Sequence, residues 1–140
     1  MNLVDQLLKA DIKTADELET GIFQSRRLAK ILKSDEETVD VTIKEVKSRR
    51  LNDIVGYQID KKGNFDHSKT YDAKLMMVTE GVADPDLRNK DLQSYFQCAS
   101  ARELAEKLFG FEINALSDAI SALSGIPTDK DENLEDEVKN

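Results

Sequence analysis

The chain has 140 residues, the usual length of one domain, and a formal net charge of −8. Hydrophobic residues make up 39%, with no tryptophan and only five phenylalanines and three tyrosines, so a core must rest on aliphatic side chains. The acidic balance argues against broad binding of nucleic acid or anionic membranes. The single cysteine and single histidine exclude an internal disulfide, a cysteine-based zinc site and a multi-histidine site.

Charge also divides the chain into two parts. Residues 128–140 contain six acidic residues and two lysines, a net charge of −4, and the other −4 is spread over residues 1–127. We predict a single globular domain over residues 1–127 and a disordered acidic tail over residues 128–140. The start of the chain has no basic stretch before a long apolar run, and no window is long enough to cross a bilayer. We therefore expect a cytoplasmic protein.

The N-terminal third combines helix and strand signals. Aliphatic residues at helical spacing predict a short amphipathic helix ending near Ala10, and Thr14 to Glu17 fit a capping box for a second turn. Residues 39–46 alternate apolar and polar side chains, with β-branched residues, as in a half-buried strand. Residues 22–32 are ambiguous because their basic residues would also fit a helix. We favour a β-hairpin that pairs these two segments.

The rest of the chain predicts short helices. Ser48 is expected to cap the first of them, and Ser100 to cap a later one within a capping box. Apolar stripes at helical spacing run from Tyr71 to Val82 and from Ile113 to Leu123, and Gly125 ends the last stripe. The predicted fold class is α+β, mainly α: a small antiparallel β-hairpin in the N-terminal third, followed by a compact bundle of short helices.

No arrangement of side chains in the sequence predicts catalysis. His67 follows a turn without a Gly-x-Ser-x-Gly elbow, so we expect a solvent-facing residue. Cys98 has no second histidine to activate it and is expected to be a small apolar residue that is buried or half-buried. The carboxylates fall in turn and tail sequences, and Asp84 is explained as a helix N-cap before Pro85. With no calcium or phosphate-binding loop, we expect no enzyme activity, no cofactor and no metal site.

Two clusters of basic residues leave nucleic-acid binding as an alternative. They would form one basic face from Arg26 to Arg50. No aromatic residue for base stacking lies between Phe23 and Tyr57, and acidic residues are interleaved. We therefore favour a solvated face of paired charges, or a dock for an acidic partner, over a small nucleic-acid-binding regulator. The clusters are Arg26, Arg27, Lys30 and Lys33, and then Lys44, Lys47, Arg49 and Arg50.

An ordered series of motifs runs through the second half of the chain. A helix ending in Val78–Val82 is followed by an Asp-Pro-Asp-Leu turn, then by a Leu-Phe segment and a Glu-Ile pair within Lys107–Ile113, and it closes on a Leu-Ser-Gly sequence. Upstream, a strand pair leads into a helix that begins near Ser48. Over roughly residues 20–125, this order resembles the XkdN-like family of phage tail assembly chaperones.

The resemblance implies a phage or prophage protein that acts in the bacterial cytoplasm and is absent from the mature virion. Chaperones of this kind bind the long helical tape measure protein and keep it soluble before the tail tube forms. The resemblance implies tail tube subunits (the major tail protein) as a second partner, and neither a cofactor nor turnover. A structural tail component retained in the virion is the alternative within the same setting.

Such a chaperone needs an apolar groove for the helix of its partner. Met76 and Met77 are adaptable groove-lining residues, although methionine and leucine at helical spacing more often belong to a core. The stripe from Ile113 to Leu123 most simply packs inside and would face a partner only if the last helix detached. The candidate partner-binding residues are Met76, Met77, Leu87, Phe111, Ile113, Leu116, Ile120 and Leu123.

Overall fold

The computed structural model describes residues 2–126, in which short helices surround a small antiparallel sheet. The predicted fold class is therefore confirmed. The helices are α1 (Leu3–Leu7), α2 (Ile12–Asp16), α3 (Arg26–Leu32), α4 (Ser48–Tyr57), α5 (Thr70–Gly81), α6 (Lys90–Tyr95), α7 (Ala101–Phe109) and α8 (Ile113–Leu123). The strands are β1 (Thr20–Ser25), β2 (Val39–Lys44) and β3 (Val82–Asp84), and 3₁₀ turns lie at His67–Lys69 and Gly110–Glu112.

Strand β2 is the centre of the sheet, with β1 on one side and β3 on the other, both antiparallel to it. In the β1–β2 ladder, Thr20 lies opposite Lys44 and Ser25 lies opposite Val39. The side chains of β2 alternate, because neighbouring residues in a strand point to opposite faces. Val41 and Ile43 are buried while Asp40 is exposed. One face of the sheet therefore joins the core.

The predicted hairpin is correct in its first half and wrong in its second. Residues 20–25 pair with β2 as a strand, but residues 26–32 form α3 instead of continuing it. The physical reason is a local cap: the hydroxyl of Ser25 accepts a 3.0 Å hydrogen bond from the backbone N–H of Leu28 and starts the helix. Leu28 and Ala29 then turn into the core. The sequence analysis also missed β3, which follows α5 directly.

Three predicted helix starts differ from those observed. Helix α2 begins at Ile12 under an Asp11 cap, so the capping box at Thr14 is wrong. Helix α4 begins at Ser48, and the residue at its cap position is Lys47, which makes no capping side-chain bond. Asp84 belongs to β3 and caps no helix; its carboxylate instead lies beside an open groove.

The capping box at Ser100 is confirmed. Its hydroxyl accepts the backbone N–H of Glu103 at 3.1 Å. The carboxylate of Glu103 accepts the N–H of Ala99 at 2.7 Å. Both ends of the motif thus satisfy N–H groups that a helix start leaves without partners within the helix.

The core lies where α5, α7 and α8 pack on one another and on the sheet. Helices α5 and α8 approach closely at Gly81, where an added Cβ atom would lie 2.7 Å from Cδ1 of Ile120. A side chain at this position would therefore push the two helices apart. The largest fully buried side chains include Phe109, Leu104, Leu116 and Ile54.

Helix α8 ends in a turn centred on Gly125. Gly125 adopts a φ of 84°, and its N–H bonds to the carbonyl of Ala122, while the N–H of Ile126 bonds to the carbonyl of Ser121. These two bonds define a Schellman motif, in which glycine is favoured at the left-handed position. The predicted stop at Gly125 is confirmed. The acidic tail predicted for residues 128–140 lies outside the described residues.

Candidate partner-binding site

An apolar groove opens between α3, α6 and α7, beside the ends of β2 and β3. Its volume is about 260 Å³. Leu28 and Leu108 are almost completely buried and lie deepest in it. Because apolar residues from five elements meet there, the groove offers water-exposed surface that a partner could cover. The lining residues are Leu28, Ile31, Leu32, Val39, Asp40, Asp84, Pro85, Leu92, Phe96 and Leu108.

One wall of the groove is the last turn of α3. Ile31 and Leu32 expose 37% and 63% of their surface there. The helix stops immediately after them because Lys33 adopts a left-handed conformation with a φ of 51°. Helix α3 is therefore long enough to bury Leu28 and still leave two large aliphatic side chains in water.

The opposite wall comes from α6. Asn89 begins this helix, with its side chain accepting the N–H of Leu92 at 2.9 Å. Phe96 follows the helix, and its ring lies edge-on to the ring of Tyr95, with 5.2 Å between centroids. The ammonium of Lys107 donates a 2.8 Å hydrogen bond to the carbonyl of Phe96. This bond ties the end of α6 to α7, so the aromatic wall is held in place.

A buried carboxylate fixes α3 against the end of α7. Glu112 accepts the hydroxyl of Ser25 at 2.6 Å and the backbone N–H of Arg26 at 3.0 Å. The guanidinium of Arg27 donates to the carbonyl of Lys107 at 2.9 Å, near the C-terminal end of α7. These three contacts hold α3, which forms one wall of the groove, against the end of α7 and the turn after it.

The charge of the groove is negative. Asp40 and Asp84 are its charged lining residues among the described part of the chain, and both are exposed. They stand at the ends of neighbouring strands, so their charges lie on the same side. An apolar segment flanked by lysine or arginine would match this pattern.

The structure places most of the predicted partner-binding residues in the interior. Five of them are buried, Met76 and Leu123 are half-buried, and Phe111 is exposed over 79% of its surface. None of the eight lines the groove described above. The buried five are Met77, Leu87, Ile113, Leu116 and Ile120.

Sequence reasoning missed the residues that do line the groove. Ile31, Leu32 and Phe96 are large apolar residues that can be read directly from the sequence. Leu28, Ile31 and Leu32 have helical spacing. The strand predicted over this segment concealed it. No signal in the sequence joins them to Phe96, because the sites are more than sixty residues apart.

The N-terminal helices form a second apolar surface. Every residue from 2 to 17 is exposed, and no residue of α1 or α2 is buried. The predicted amphipathic stripe on α1 is therefore present but packs against nothing in the described part of the chain. Its members, with exposures of 63–80%, are Leu3, Val4, Leu7 and Leu8.

Residues considered for catalysis lie apart from one another. His67 is exposed in a 3₁₀ turn, as predicted, and follows Asp66, whose pKa is lowered by hydrogen bonds from Ser68. Cys98 is half-buried, as predicted, with its thiol 3.5 Å from the carbonyl of Phe96. Within residues 2–126, no cluster of three metal-binding side chains is present.

The proposed basic face is divided among several elements. Arg26 forms an exposed ion pair with Glu37 at 3.3 Å, Arg27 bonds to a backbone carbonyl, and Arg50 pairs with Glu80. Several of the positive charges are thus already engaged on separate elements.

No helix in the described residues has both the length and the apolar character to cross a membrane. The sequence matches a model of a protein family described as phage XkdN-like tail assembly chaperone protein over residues 4–139. No curated protein matches it. The crystal structure of the protein yqbn, a structural genomics target, aligns with a TM-score of 0.53 and 14% identity over 79% of this chain and 89% of that one.

The two comparisons carry different weight. At 14% identity, the likeness to yqbn supports the fold alone. The family match covers nearly the whole sequence and confirms the resemblance drawn from its motifs. The chain therefore belongs to the XkdN-like family of phage tail assembly chaperones, which is a family of chaperones and not of enzymes.

Proposed function

We propose that the chain binds apolar helical segments of the tape measure protein and keeps that protein soluble in the bacterial cytoplasm until the tail assembles. Family membership gives the setting, which is the assembly of a phage tail and implies tail proteins as partners. The observation that carries the proposal is the open apolar groove between α3, α6 and α7. Tail tube subunits (the major tail protein) are a second partner for the same surface.

The groove suits a helical segment with apolar anchors. An amphipathic helix presents such anchors three and four residues apart, and a helix laid along a groove inserts them in turn. Burying one leucine-sized side chain contributes about 1.5–3 kcal/mol. A few anchors against Ile31, Leu32 and Phe96 therefore give a complex that is stable in the cytoplasm and still reversible, as assembly requires.

The negative charge of the groove favours partner segments that carry basic residues. Asp40 and Asp84 would attract basic residues next to the apolar anchors of the partner. The net charge of −8 also keeps the chaperone itself in solution. The same negative charge disfavours the alternative role in nucleic-acid binding.

The residues predicted from sequence enter this proposal in two ways. Phe111 is exposed and is proposed as a contact outside the groove. The buried stripe that includes Leu116 and Ile120 would meet a partner only after α8 separated from α5, and we retain it as a proposal that requires such a separation.

Co-expression tests the proposal directly. The tape measure protein of the same phage or prophage is produced alone, with this chain, and with its Leu32→Glu variant, and its soluble fraction is measured. We expect the unmodified chain to keep the tape measure protein soluble and to co-purify with it. The variant should lose this effect, because a carboxylate at position 32 places a charge in the apolar groove.

Leu7→Glu is the matched control. Leu7 is a leucine on a short helix with 69% exposure, close to the 63% of Leu32, but it lies on α1 outside the groove. It should leave solubility and co-purification unchanged. Equal loss with both variants, or no effect of the chain on solubility, would contradict the groove as the binding site.

Mass spectrometry of purified particles separates the chaperone from a structural component. A chaperone is absent from the finished virion, whereas a structural tail component is retained at a fixed ratio to the tail tube subunit. Detection of this chain at such a ratio would contradict the chaperone role and support a structural one.

A further inference from the structure

A second pocket, separate from the apolar groove, has three arginines among its lining residues. Its volume is about 390 Å³. Arg50 enters it from α4, Arg102 from α7, and Arg88 from the loop between β3 and α6. Glu80, at the end of α5, is the one carboxylate among its described lining residues. The other lining residues are Met76, Thr79, Ser100 and Ala101.

The single carboxylate does not balance the three guanidinium groups. Oε1 of Glu80 lies 3.1 Å from Nε of Arg50 and 3.2 Å from NH2 of Arg88. A second nitrogen of Arg88 donates to the carbonyl of Thr79 at 3.3 Å. Three positive charges thus face one negative charge, and the pocket carries an excess of two.

The chemistry of this excess suits carboxylate groups. A guanidinium group presents a planar fork of N–H donors that matches two oxygens of one carboxylate. Arg50 and Arg88 are partly exposed, with 41% and 59% of their side chains accessible, so each has donors open to the pocket. Arg102 is exposed in the first turn of α7.

The described part of the chain ends beside α4, the helix that supplies Arg50 to this pocket. Ile126 lines a groove together with Leu51 and Ile54 of α4. The hydroxyl of Ser124 accepts the backbone N–H of Val46 at 2.9 Å, which fixes the end of α8 beside the start of α4. The end of the described chain is therefore held against α4, which also carries Arg50.

The segment that follows has the complementary charge. Residues 128–140 contain six acidic residues and two lysines, a net charge of −4, and the first acid is three positions after Ile126. An extended chain covers at most about 3.6 Å per residue, so the eleven residues from Ile126 to Glu137 span up to about 40 Å. The pocket is therefore within reach of these acids.

We propose that the pocket formed by Arg50, Arg88 and Arg102 is a binding site for carboxylate groups, and that its occupant is the acidic segment of the same chain, residues 129–137. The segment supplies the negative charge that the pocket lacks. This contact would hold the C-terminal end of the chain on the α4 and α7 surface. The proposal is independent of the proposed function, because no residue lines both the pocket and the apolar groove.

Paramagnetic broadening measures the contact in the full-length protein. A nitroxide is attached at Asn133→Cys in a Cys98→Ser background, and amide intensities are recorded at low salt. We expect the amides of Arg50, Arg88 and Arg102 to lose most of their intensity. Raising NaCl to about 1 M, where the Debye length is about 3 Å, should restore them.

Two variants serve as controls with the same label. Changing the six acids to the matching amides keeps the length of the segment and should abolish the broadening. Arg102→Gln, at an exposed position, should reduce it without unfolding the chain. Broadening that is spread evenly over the surface, or that persists with the amide variant, would overturn the proposal.

A mixed sample distinguishes one chain from two. Isotope-labelled chains without the nitroxide are combined with nitroxide-bearing chains of natural isotope content. Broadening of the arginine amides in this mixture would assign the occupant to a second copy and overturn the proposed contact within one chain. Its absence there, with strong broadening in the singly prepared sample, supports the proposal.

Discussion

The buried hydroxyl of Ser25 donates a 2.6 Å hydrogen bond to the carboxylate of Glu112, which joins the β1–α3 junction to the turn before α8. The same hydroxyl accepts the N–H of Leu28, while the second carboxylate oxygen accepts the N–H of Arg26. A negative charge at the start of α3 also complements the dipole of that helix. One local cap and one long-range contact thus position the wall of the apolar groove.

Removing either partner should loosen α3. We expect Glu112→Ala to lower the free energy of unfolding by about 2–3 kcal/mol, because two hydrogen bonds to a charged group are lost in a buried site. Ser25→Ala should lower it by about 1–2 kcal/mol through loss of the helix cap. Urea unfolding followed by circular dichroism measures both changes.

The pair should also be coupled. In the double variant, the loss should be smaller than the sum of the two single losses, since the Ser25–Glu112 bond can be lost only once. Strict additivity would show that the two side chains stabilise the protein independently.

A second prediction concerns Gly110, which lies close in space to the side chain of Arg27. Gly110 has a φ of 47° and a ψ of −118°, a region that side chains with a Cβ atom avoid. An added Cβ would also lie 2.9 Å from Cζ of Arg27. We expect Gly110→Ala to destabilise the protein by about 1–3 kcal/mol through backbone strain alone.

Gly56→Ala is the opposite case and serves as the control. Gly56 lies within α4, and no atom outside its own helix neighbourhood lies within 4 Å of the position of an added Cβ. Alanine should therefore stabilise the protein by about 0.5–1 kcal/mol, because it favours the helix and restricts the unfolded chain. Thermal unfolding of the two variants should show midpoints displaced in opposite directions.

The sequence was sufficient for the elements whose signal is local. The alternation in residues 39–46 predicted β2, the capping box at Ser100 predicted the start of α7, and the stripe from Ile113 predicted α8. Each signal reflects contacts that the segment makes within itself or with one buried face. The family also followed from the order of such segments along the chain.

The groove could not be predicted in the same way. Its walls come from α3 and α6, which are far apart in the sequence. A stripe of apolar residues shows that one face of a helix is covered, but it does not show which element covers that face. The stripe on α8 was assigned to the core or to a partner for this reason, and the structure places Leu116 and Ile120 in the core. Placing the strand partner of β2 at residues 22–32, whereas it lies at Thr20–Ser25, also hid the helix that begins at Arg26.

A third prediction follows from Tyr71 on α5. Its hydroxyl donates a 2.8 Å hydrogen bond to the carboxylate of Glu106, and this bond raises the pKa of Tyr71 above its ordinary value of 10.0. The difference between spectrophotometric titrations of the unmodified protein and of Tyr71→Phe should show a component that ionises above pH 10.0. Glu106→Gln should lower the pKa of Tyr71, because the negative neighbour is lost and an uncharged amide oxygen is a weaker acceptor for the hydroxyl.

The raised pKa also fixes the sign of a pH effect. The protonated hydroxyl is favoured in the folded state, so its contribution to stability is complete below pH 10 and is lost as the pH rises through the higher pKa of the folded state. The unmodified protein should therefore lose more stability in this alkaline range than Tyr71→Phe does. An identical loss in both proteins would contradict the role of the Tyr71–Glu106 bond.

The last prediction tests the contact between α5 and α8. An added Cβ at Gly81 would overlap Ile120, with Cδ1 and Cγ1 at 2.7 and 2.8 Å. Gly81→Ala should therefore lower the free energy of unfolding by about 1–3 kcal/mol, as overpacking of a core does. Ile120→Ala alone should lower it by about 2–5 kcal/mol, because most of a buried side chain is lost.

The double variant separates overpacking from a general intolerance of alanine at position 81. Alanine at position 120 removes Cγ1, Cγ2 and Cδ1, the three atoms that crowd the added methyl group. The double variant should therefore be more stable than the sum of the two single changes predicts. If the two losses simply add in urea unfolding, the cost of Gly81→Ala must arise from the backbone of α5 and not from its packing against α8.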